Sequence, residues 1–81
     1  MTTQSNNKPV DTLRDGSLKI AIWKNDTEHG VRYSTGGVVR SYKDKSDQWQ
    51  ETRDLSNGEL LKAARLLNLA YDRIAVLRAE E

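Results

Sequence analysis

The chain has 81 residues, one histidine, no cysteine and a net charge of +1, which bounds it to one small domain near the lower size limit for folding without staples. Disulfides and thiolate metal centres are excluded, and His29, beside Gly30 in a polar loop, has no partner with which to build a metal site. No apolar run approaches the ~20 residues of a membrane span and no signal-peptide core opens the chain, so a cytoplasmic protein without cofactor or metal is expected.

Residues 1–9 are polar, lack any apolar period and end at the only proline, which predicts a disordered tail ahead of a single domain over 10–79. "VDTLR" from Val10 is a short β-prone run, and Asp15–Gly16 reads as the two-residue turn of a hairpin. "SLKIAIWKN" alternates, with Leu18, Ile20 and Ile22 on one side and Lys19, Ala21 and Trp23 on the other. Asp26–Gly30 reads as a loop. "VRYSTGGVVRSYK" is long for one straight strand, and Gly36–Gly37 in its middle predicts a bulge. A polar turn at "DKSD" leads to a fourth strand, "QWQETRD", which has no apolar face and belongs at an edge or is anchored by Trp49 alone.

The last third changes period. "SNGE" at Ser56–Glu59 fits a capping box, and Leu60, Ala64, Leu67, Tyr71, Ile74 and Leu77 recur at helical spacing over five to six turns. Leu61, Leu66, Leu69 and Val76 fall off that stripe. They give the helix more apolar surface than one small sheet covers, which predicts a homodimer packed through those four residues. Lys62, Arg65 and Arg73 read as solubilising charges.

The expected fold is therefore α+β: a four-stranded antiparallel meander followed by one long C-terminal helix (ββββα). With a dimerising helix and a basic, aromatic-bearing sheet, this order resembles the positive-cofactor-four type of single-stranded-DNA-binding domain, a compact relative of the Whirly fold. More narrowly, "PVDTLRDGSLKIAIWKN", "RYS", "RSYKDKSDQWQET" and "LLKAARLLNLAYDRI" are similar to a family of small bacterial, phage and plasmid proteins of uncharacterised role. The chain departs from that pattern at "TGGVV", one residue longer than the usual strand. The resemblance implies the fold and, beyond it, nucleic-acid binding.

The residues themselves offer a platform of the same kind. Lys19, Trp23, Arg32, Arg40, Tyr42, Lys43, Lys45, Trp49 and Arg53 combine cations that can track phosphates with aromatics on which bases can stack. Charge is unevenly placed, with eight Lys/Arg against five Asp/Glu in residues 1–45 and five against seven in 46–81. The competing account puts Trp23 and Trp49 in the core, with Tyr33, and leaves the cations as an ordinary solvated face. No nucleophile with a base, paired carboxylates or phosphate loop is legible, so an enzyme is not expected. The favoured reading is a homodimeric single-stranded nucleic-acid-binding protein with modest sequence preference, for DNA before RNA, acting as a transcription or replication accessory factor. The alternative is a protein-interaction module of a mobile element that binds no nucleic acid.

Overall fold

A computed structural model describes residues 8–80, so most of the stretch read as a tail lies outside the described residues. Four antiparallel strands, β1 (Asp11–Asp15), β2 (Leu18–Thr27), β3 (Gly30–Lys43) and β4 (Trp49–Thr52), pair in chain order, and a 3-10 turn (Asn57–Glu59) leads into α1 (Leu60–Ala79). The ββββα layout is the one expected from the alternation of β2 and the change of period after Ser56.

The β1–β2 connection differs in detail. Asp15 pairs with Leu18, so Gly16 and Ser17 are the central turn residues, one position later than the Asp-Gly reading. Gly16 has φ +63° while Ser17 is not among the positive-φ residues, the pattern of a type II′ turn, in which glycine takes the first central place. The β2–β3 loop is also shorter than expected. Thr27 pairs with Gly30, leaving only Glu28 and His29 at the tip.

The bulge falls where the two glycines predict it. Ile20 and Ile22 of β2 pair with Val38 and Thr35 of β3, so three steps of β3 oppose two of β2. Gly37 takes φ +97° there, and a Cβ on it would sit 3.4 Å from the Arg53 guanidinium. The extra residue of β3 relative to β2 is absorbed at this point, and pairing resumes on either side.

One face of the sheet carries the core. Leu18, Ile20 and Ile22 are fully buried against Ala63, Leu66 and Ala70 of α1, with Leu13, Tyr33, Val38, Leu55, Ile74 and Leu77 packed around them. The helix thus presents the stripe Ala63–Leu66–Ala70–Ile74–Leu77 to the sheet, not the one through Leu60, Ala64, Leu67 and Tyr71. That stripe lies on the adjoining flank, and Tyr71 is 77 % exposed. Leu66, expected in a dimer interface, is 1 % exposed and belongs to the core, while Leu61, Leu69 and Val76 are exposed. The physical reason is close approach. Alanines at 63 and 70 let the backbone come down on the large aliphatics of β2, where a leucine would hold it off.

Ser56 and Glu59 form a capping box at the helix start. The Ser56 backbone N–H donates to Glu59 Oε1 at 2.7 Å, and this bond, with Arg40 and Lys62 nearby, holds the Glu59 carboxyl below its ordinary value of 4.5. Asp44 is likewise held low, by the backbone N–H of Gln48 first and the Gln50 side chain next. Folded-state values below the unfolded ones mean that both carboxylates stabilise the fold above pH ~5 and that this is lost as pH falls through ~4 and below. Thermal unfolding between pH 3 and 7 should show that acid limb, and Glu59→Gln should flatten it. An identical limb in the variant would remove Glu59 as a contributor.

Candidate functional site on the open face of the sheet

Strand parity sorts the candidate residues. Those directed away from the helix share the parity of Lys19, Ala21 and Trp23 on β2, and pairing carries that face to Arg14 on β1, to Arg32, Ser34, Val39, Ser41 and Lys43 on β3, and to Trp49 and Glu51 on β4. Arg53, just past β4, continues the row and lies over the bulge, where it donates to the Gly36 carbonyl. Six expected residues, Lys19, Trp23, Arg32, Lys43, Trp49 and Arg53, therefore meet on one open face.

Three do not. Arg40 and Tyr42 share the parity of Leu18 and lie on the helix side. Arg40 Nε donates to the Asp54 carbonyl at 3.3 Å and lies 3.5 Å from Glu59 Oε1, with its guanidinium 5.6 Å from the Tyr42 ring. It ties the start of α1 to β3. Lys45 stands exposed in the β3–β4 loop. That loop is an organised turn: Asp44 Oδ1 accepts from the backbone N–H of Ser46 and Gln48, and Oδ2 from Gln50 Nε2, while Asp47 takes φ +65°.

Neither tryptophan belongs to the core cluster. Trp49 is 68 % exposed, so it does not anchor β4, and Lys43 Nζ sits 5.5 Å from its ring centroid. Trp23 is half-buried on the open face, beside a shallow groove floored by Ala21, Gly36, Gly37 and Val39. Tyr33, by contrast, packs against the core as expected. Trp23 pairs with Ser34 and Trp49 with Lys43, so nine residue steps of β3, one of them taken up at the bulge, or ~26 Å, separate the two positions along the sheet. One base cannot reach both.

Charge is segregated across the layers. Arg14, Lys19, Arg32, Lys43 and Arg53 stand on the open face with Glu51, and Asp47 of the β3–β4 turn lies 3.6 Å from Lys43 Nζ, whereas Asp11 and Asp15 have helix-side parity. Asp11 is held there by Arg73 at 2.8 Å. Sequence reasoning missed Arg14, although the turn at Gly16 puts it directly opposite Lys19. Like charges in that position destabilise a sheet. Lys19 reaches past β3 to an ion pair with Glu51, and a second concavity opens between them, lined by Arg14, Ser17, Lys19, Ser41, Trp49 and Glu51.

Among the described residues no group of three or more acidic or histidine side chains is placed to hold a metal, and no helix is long and apolar enough to cross a membrane. No family model, curated protein or solved structure matches the chain. Fold and site together define a two-layer α+β domain with one face of its sheet packed by a helix and the other open, basic and aromatic.

Proposed function

We propose that the open face of the sheet binds single-stranded nucleic acid, DNA in the first instance, with little sequence preference. The observation that carries this reading is the company the two tryptophans keep. Five cations share their face with Glu51 and, at the β3–β4 turn, Asp47, an excess of positive charge in a chain whose overall charge is only +1. An anionic ligand offsets the cost of facing Arg14 against Lys19, and phosphates spaced along a flexible strand can meet cations spread over the whole sheet. Trp23 and Trp49 supply flat apolar surfaces at its two ends, where any base can stack. Arg40 and Tyr42 are outside the site in this reading.

Both tryptophans of the chain lie in the proposed site, so intrinsic fluorescence reports on it directly. Titration with oligo-dT should quench that fluorescence, and the affinity should fall as salt is raised. Tight binding to duplex but not to oligo-dT, or no binding at low salt, would defeat the proposal and leave the protein-interaction reading.

A further inference from the structure

Gly36 and Gly37 together face Ala21 across the irregular pairing of β2 and β3. Residues with no side chain beyond Cβ therefore meet in the middle of the open face. Gly37 has a backbone reason to be glycine, since it takes φ +97°. Gly36 has none. Its φ is not positive, and a Cβ built on it meets only the Arg53 guanidinium, at 3.5 Å, an ordinary contact. A β-branched residue would suit a strand better at this place.

The missing side chain leaves room. The shallow groove over Ala21, Gly36, Gly37 and Val39 has a volume of about 220 Å³ and is bordered by Trp23 and Arg53. That lies below the ~300 Å³ at which pockets for drug-sized ligands begin, so it suits one flat ring system better than a whole nucleotide. Trp23 is half-buried, and Arg53 is held at the groove by its bond to the Gly36 carbonyl. The Lys19–Glu51 ion pair, also on the border, adds a donor and an acceptor for the edge of a ring.

We infer that this groove seats one base of a bound strand against Trp23, and that the absent side chain at Gly36 keeps the seat open. The inference rests on the reading of the open face as a nucleic-acid surface and assigns a base, not a phosphate, to its centre. The floor is apolar, and the two nearest cations are already engaged, Lys19 by Glu51 and Arg53 by the Gly36 carbonyl. The two tryptophans are then unequal. Trp49, 68 % exposed, is a platform open to any base, whereas Trp23 works beside a seat of limited size.

Fluorescence anisotropy at low salt tests it with two probes, an oligo-dT and an oligonucleotide of the same length made of abasic residues. Gly36→Val fills the groove from β3 and Ala21→Val fills it from β2. Each should weaken oligo-dT binding by about fivefold or more, the low end for one lost base stack. Each should leave binding of the abasic strand and the salt dependence unchanged, because the phosphate contacts remain. Gly36→Ala should lose less than Gly36→Val. Thermal unfolding checks that the variants fold, and should Gly36→Val fail to fold, Ala21→Val decides alone. Undiminished oligo-dT binding in the folded valine variants, or an equal loss on both probes, would overturn the inference and leave the reading of the open face standing. A wild type that does not bind oligo-dT would overturn both.

Discussion

Replacing Leu66 by alanine should cost about 2–5 kcal/mol of unfolding free energy, enough to threaten the fold of so small a domain. Leu66 is 1 % exposed and packs with Leu18, Ile20 and Ile22 between the two layers. Truncation leaves a cavity that the surrounding rigid sheet cannot close. Leu61, five residues earlier on the same helix and 84 % exposed, is the control. Its replacement by alanine should stay within about 0.5 kcal/mol of the parent. Chemical denaturation of the two variants decides between the stripes. Equal losses would mean that the helix is rotated from the orientation described here, and a larger loss at Leu61 would return it to a packing role.

Trp23→Ala and Trp49→Ala should each weaken oligo-dT binding by about 1–3 kcal/mol, some five- to 150-fold, while leaving the salt dependence in place. Stacking is a contact between neutral surfaces and releases no counterions. Arg14→Ala and Arg32→Ala should do the converse, each flattening the slope of log affinity against log salt by about 0.7 for every phosphate lost. Tyr42→Ala should leave binding unchanged, since its parity sets it on the helix side with Arg40. Arg40→Ala should lower stability through the loss of its bonds to Asp54 and Glu59 without altering the slope. Fluorescence anisotropy with labelled oligo-dT at several salt concentrations separates these outcomes. Loss of binding in Tyr42→Ala with full binding in both tryptophan variants would place the site on the wrong face.

Much of this molecule was legible in the order of its residues. The period of two in Leu18–Trp23 determined a half-buried strand and which side of it meets the core. The glycine pair at 36–37 determined a break in β3, because φ near +97°, which Gly37 takes, is strained for any residue with a Cβ. "SNGE" determined where the helix begins. These are local effects, decided by sterics and hydrogen bonds within a few residues.

What reached across the chain was left to the tertiary structure. A helix with leucine on several sides offers more than one apolar stripe, and periodicity cannot choose among them. The choice went to Ala63, Leu66 and Ala70 because small residues let the helix settle onto Leu18, Ile20 and Ile22. The candidate binding surface was likewise divided by pairing. Arg40 and Tyr42 fell to the helix side by the register Leu18↔Arg40, and Arg14 joined the open face by pairing with Lys19. Residue types predicted a basic and aromatic surface. The side of the sheet on which each residue stands is a property of register, which only the folded sheet sets.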